Sequence, residues 1–65
     1  MKKYYQVLMP YVNNYKLMGT FTSKRKAYRE AKSCGEAIVT LTIQNDGNNQ
    51  NRIICEFKSG ERFDL

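Results

Sequence analysis

The sequence predicts an α+β domain in the order ββαβββ, a mostly antiparallel sheet with one helix packed on one face. Three observations carry this. Apolar residues recur at every second position in runs at both ends of the chain. One stretch, Ser23 to Cys34, holds only helix-tolerant residues with an apolar repeat at helical spacing. Asn13-Asn14, Asp46-Gly47 and Ser59-Gly60 supply turn chemistry between the alternating runs. A chain of 65 residues leaves room for one small core, so residues 1–65 are expected to form a single domain.

The elements follow in order. Tyr5, Val7, Met9 and Tyr11 alternate with Tyr4, Gln6, Leu8 and Pro10, which makes the first strand. The second runs from Tyr15 to Phe21. A two-residue Asn13-Asn14 loop scatters the large apolar residues over both faces. A loop of Val12, Asn13 and Asn14 instead sets Tyr11 opposite Tyr15, Met9 opposite Leu17 and Tyr5 opposite Phe21, and is preferred. Thr22 or Ser23 caps the helix, whose narrow stripe is Ala27, Tyr28, Ala31 and Cys34, and Gly35 stands at its end. Glu36 to Gln44 is the strongest strand, with Ala37, Val39, Leu41 and Ile43 on one face and Ile38, Thr40 and Thr42 on the other. A polar loop from Asn45 to Asn51 turns at Asp46-Gly47. Arg52 to Phe57 and Glu61 to Leu65 complete the sheet. With Lys58, Ser59 and Gly60 as their loop, Phe63 faces Cys55, Leu65 faces Ile53 and Arg62 meets Glu56. Apolar and charge matching agree on that register over a two-residue Ser59-Gly60 turn.

A helix of about three turns shields one side of such a sheet at most. The covered side is expected to gather Tyr5, Val7, Met9, Leu17, Phe21, Val39, Leu41, Ile43, Ile53, Cys55, Phe57, Phe63 and Leu65. The opposite side then carries Tyr4, Leu8, Met18, Ile38 and Ile54 among polar residues, more apolar than a solvated face requires. With Lys16 and Arg52 beside them, these seven form the expected partner-binding surface. The competing reading is an ordinary wet face shielded by lysine and arginine stems.

Eleven Lys and Arg against six Asp and Glu give a net charge of +5, unevenly spread. Residues 1–32 carry eight bases and one acid, while residues 33–65 carry three bases and five acids. A chain so polarised suits an acidic partner: an acidic protein surface, a nucleic-acid backbone, or a second copy's acidic half in a homodimer. Lys24, Arg25 and Lys26 crowd the first helical turn, where each opposes the helix dipole by about 0.3–1 kcal/mol. With the Thr22 and Ser23 hydroxyls, and Arg29 further along, they form a candidate anion-binding site. An ordinary solvated helix face explains the same residues, since salt screens exposed charges.

No histidine is present, and neither a glycine-rich phosphate loop nor a nucleophile elbow occurs. The chain therefore reads as a non-enzyme with no cofactor. Two cysteines, Cys34 and Cys55, cannot complete a zinc site, and read as free thiols packed as small hydrophobes. No segment approaches the roughly 20 apolar residues that span a bilayer. The expectation is a cytoplasmic protein without membrane contact. Neither an RNA-recognition motif, a KH loop nor a helix-turn-helix appears, so the nucleic-acid signal is charge and aromatic content alone.

The segment Gly19-Thr20-Phe21-Thr22-Ser23-Lys24-Arg25-Lys26-Ala27-Tyr28, a strand running into a capped basic helix, resembles a pattern in small uncharacterised bacterial and phage-encoded α+β domains. That resemblance implies a compact prokaryotic or viral accessory protein acting by binding, and it assigns no residue a role. Together these readings lead to a non-catalytic factor that binds a protein partner with an acidic surface through the open sheet face and the basic helix, with inhibition as one outcome of that binding. The alternative is nucleic-acid binding by the basic half and exposed tyrosines.

Overall fold

A computed structural model describes residues 1–65. Strands β1 (Lys2–Tyr11) and β2 (Asn14–Phe21) precede helix α1 (Lys24–Cys34). Strands β3 (Ala37–Asn45), β4 (Asn48–Lys58) and β5 (Glu61–Asp64) follow it. All pairings are antiparallel and the spatial order is β2-β1-β3-β4-β5. Three local hairpins are thus joined by one long-range pairing, β1 with β3.

The helix begins and ends as its sequence dictates. Ser23, extended at φ −104°, accepts from the Lys26 backbone N–H at 3.4 Å and caps the first turn. Gly35 turns out of the helix at φ 84°, a conformation that favours glycine, and its N–H closes on Lys32 O. Ala27 and Ala31 are fully buried, so the helix axis sits close to the sheet. Its cover extends over β1, β2 and β3. Tyr28 alone reaches further, meeting the Phe57 ring edge-on at 5.9 Å.

The core is one cluster on the helix side: Tyr5, Val7, Ala27, Ala31, Ala37, Val39, Cys55 and Phe57. It is small. The bulkiest side chains shut off completely from solvent are Val7, Val39 and Cys55.

Two bulges correct the expected registers. Tyr5 does face Phe21, but β1 and β2 are joined by a two-residue turn, Val12-Asn13, with Tyr11 opposite Asn14 and Met9 opposite Lys16. The mismatch is absorbed between Leu17 and Gly19, where Met18 becomes the extra residue and packs against the core. Leu17 consequently faces Leu8 on the open side instead of Met9 on the covered one. Lys16 is carried to the helix side, with its ammonium 5.9 Å from the Tyr11 ring centre. Val12 stands at φ 54°, costly for a β-branched residue. Gly19 follows the bulge because Phe21 lies over it, and a Cβ there would come within 2.8 Å of the ring.

The second bulge lies in β4. Val39 faces Cys55 but Thr40 faces Ile53, which leaves Ile54 as the extra residue packed toward the core. Arg52 thereby moves opposite Leu41, onto the helix side. The polar stretch from Asn48 to Asn51 is strand, not loop, and only Asp46-Gly47 turns, at φ 30° and 84°. The β4–β5 loop is the two-residue Ser59-Gly60 turn, with both residues left-handed at φ 53° and 78°. Such a turn matches the natural strand twist. It sets Phe63 opposite Glu56 and Arg62 opposite Phe57, overriding the apolar match of Phe63 with Cys55.

Thr40 and Thr42 lie in the middle of the open face, each 5% exposed, and neither Oγ1 has a hydrogen-bond partner. A buried hydroxyl left unpaired costs about 1–3 kcal/mol. Thr40→Val is therefore expected to raise stability by about 1 kcal/mol, seen as a thermal midpoint higher by roughly 4–8 °C. An unchanged midpoint would show that the unpaired hydroxyl costs nothing, and a lower one that it stabilises the sheet.

Candidate functional site: a basic groove beyond the helix

Because α1 covers only the β2-β1-β3 half, the helix-side surface of β4 and β5 is bare beyond Tyr28. There a groove of about 1160 Å³ opens between the first helical turn and the end of the sheet. Five cations line it: Lys3 from β1, Lys24 and Arg25 from α1, Arg52 from β4 and Arg62 from β5. Asp64 is the one acid on its wall, and it already pairs with Arg62 (Nε–Oδ1 3.4 Å). The apolar part of the lining includes Leu41, Ile54 and Leu65.

The aromatic rings of the groove are engaged. Tyr5 belongs to the core. Against the Tyr28 ring lie the Lys24 ammonium at 5.4 Å and the Arg62 guanidinium at 5.3 Å from its centre. These contacts hold two of the five cations in place beside a neutral ring. Burial, and then the neighbouring Cys55 thiol, push the Tyr28 phenol up to about 12. Its neutral form is thus preferred on folding. The stability this confers is fully present below pH 10 and is lost as pH rises through about 12. One late step near pH 12 is expected in a phenolate absorbance titration, and Tyr28→Phe should abolish it. Persistence of that step in the variant would assign it to another tyrosine.

The expected anion site is brought together in part. Lys24 and Arg25 enter the groove, whereas Lys26 and Arg29 are exposed on the helix and do not line it. Ser23 spends its hydroxyl on the cap, and Thr22 is exposed. Arg52 belongs to the groove, not to the open face. Lys3 and Arg62 escaped the sequence reading. For Arg62 the signal was present in Ser59-Gly60, since a two-residue turn alone puts it on the helix side. For Arg52 the bulge decides, and nothing in the residue pattern announces it.

Of the expected partner-binding surface, Tyr4, Leu8 and Ile38 remain on the open face. Lys16, Met18, Ile54 and Arg52 leave it through the two bulges. Leu17 and Phe63 take their places, giving a row across all five strands: Leu17, Leu8, Ile38, Glu56 and Phe63. Tyr4 accepts a hydrogen bond from Gln44 Nε2 through its hydroxyl at 3.3 Å, which steadies one end of that face.

Both thiols are free. Burial holds Cys34 above its usual range, helped by the negative charge of Glu30, to which Sγ donates at 3.9 Å. Burial likewise raises Cys55. Both effects favour the unreactive thiol over the thiolate. No group of three or more cysteine, aspartate or glutamate residues is placed to hold a metal ion. No helix is long and apolar enough to cross a membrane. The chain matches no protein-family model, curated protein or solved structure with which it was compared.

Proposed function

We propose that this chain is a non-catalytic binding protein that takes an acidic segment of a protein partner into its basic groove, as a small accessory factor that masks that segment. The single observation that carries this is five cations from four elements lining one cleft against one acid. Two further features favour protein over nucleic acid. Leu41, Ile54 and Leu65 give apolar side chains a place between the charges, which a phosphodiester backbone does not use. The groove also offers no free ring for base stacking, since Tyr5 is core and Tyr28 already carries Lys24 and Arg62.

A direct test compares a glutamate-rich peptide containing leucines with single- and double-stranded DNA and RNA, each at low and high salt. Peptide binding that outlasts nucleic-acid binding as salt increases supports the proposal. Nucleic-acid binding with a steep salt slope, about 0.9 per phosphate contacted for duplex DNA and about 0.7 for single strands, together with no peptide binding at low salt, overturns it.

A further inference from the structure

The cations of the groove all lie on the helix side of the sheet, and what they leave behind is a neutral open face. By the register, the charges there are Lys2 and Lys58 against Glu56 and Glu61, two of each sign. Lys58 and Glu56 already pair at 3.8 Å. Across this face runs the row Leu17, Leu8, Ile38, Glu56 and Phe63, whose two ends, Leu17 and Phe63, are 51% and 48% exposed. No part of the chain covers it, because the one helix lies on the other side.

We propose that a second copy of this chain covers it, in a dimer whose two sheets stack open face to open face. Charge selects this occupant. A chain of net charge +5 repels its own copies, and least where the charges that meet cancel locally, as they do on this face. An acidic partner gains nothing from that neutral face and is drawn to the groove instead. The area is sufficient: five strands about 4.8 Å apart and roughly 25 Å long present about 600 Å². Two stacked faces then bury about 1,200 Å², the lower bound for a stable interface. The molecule's extents of 37 × 26 × 20 Å accommodate that footprint. Stacked sheets lie about 10 Å apart, the spacing that interdigitated Leu, Ile and Phe side chains fill. The dimer is two-fold symmetric, and it leaves both basic grooves outward. It stands independently of what the grooves bind.

Sedimentation equilibrium on the full chain tests this. The wild type is expected to pass from 7.6 kDa monomer to twice that mass as concentration rises. Leu17→Glu and Phe63→Glu should each weaken dimerisation at least about tenfold while keeping the wild-type circular dichroism, because both side chains are half exposed in the monomer. Arg25→Glu, in the groove, lowers the net charge and should not weaken the dimer. A wild type still monomeric at about 0.5 mM overturns the proposal. So does a dimer indifferent to both face variants, or one dissolved by Arg25→Glu. Should either face variant unfold, the wild-type mass and the other variant still decide.

Discussion

Phe57→Ala is expected to abolish cooperative folding at room temperature. Phe57 is 4% exposed, and it is the largest of the side chains that join β4 to the helix, through the edge of Tyr28. Removing a buried phenylalanine costs about 3–5 kcal/mol, part for lost burial and part for the cavity left behind. Most domains hold roughly 0.05–0.15 kcal/mol per residue, so a chain this short has about 3–10 kcal/mol in all. Apart from Tyr28, helix cover stops at β3, so the rest of the helix is not positioned to close the gap. Thermal unfolding followed by circular dichroism checks it. Phe57→Leu is the control, expected to melt cooperatively at a lower temperature, because Leu refills much of the volume. A cooperative wild-type-like melt for the alanine variant would show that β4 is held by its strand neighbours alone.

Arg25→Glu combined with Arg52→Glu should weaken binding of an acidic peptide by about 100-fold, equivalent to roughly 2.7 kcal/mol. The substitutions leave the groove with three residues of each sign in place of five cations and one acid. Stability should move the other way. An acid in the first turn of α1 interacts favourably with the helix dipole, by about 0.3–1 kcal/mol. Lost affinity with retained or improved stability therefore separates a binding role from a structural one. Lys26→Glu with Arg29→Glu makes the same change in net charge outside the groove, and is expected to cost less than about threefold. Equal losses in the two double variants would mean that overall charge, not the groove, attracts the ligand.

The parts of this structure that could be read from residues are those settled by local chemistry. Ser23 caps and Gly35 terminates the helix because hydroxyl and glycine satisfy local backbone needs. Ala27 and Ala31 fall on the buried face because helical spacing permits nothing else. Asp46-Gly47 turns, and Tyr5 meets Phe21. What escaped was one-residue bookkeeping. A bulge leaves the alternation intact on either side of itself, so the pattern around Met18 and Ile54 looks the same with or without one. Yet each bulge moves residues across the sheet, and between them they decided where Lys16, Leu17, Arg52 and Ile53 face. Asn48 to Asn51 read as loop because they are polar. They pair with the outer end of β3, where exposure removes any demand for apolar residues. The candidate site was misread in proportion: Lys24, Arg25 and Arg52 were singled out, while their meeting in one groove with Lys3 and Arg62 depended on the β4 bulge and on Ser59-Gly60.

The pairing of β1 with β3 has a kinetic consequence. Both outer hairpins join residues close in sequence, whereas Leu8 and Ile38, or Lys2 and Gln44, must find each other across the whole helical segment. Folding rates fall as such distant contacts dominate, so the slow event is the closure of this single central line. The segments that meet there come from opposite electrostatic halves of the chain, one strongly positive and one mildly negative. Long-range attraction hastens their encounter, and dissolved ions slow it. The same lopsided distribution that lines the groove with cations thus also shortens the time the chain takes to fold.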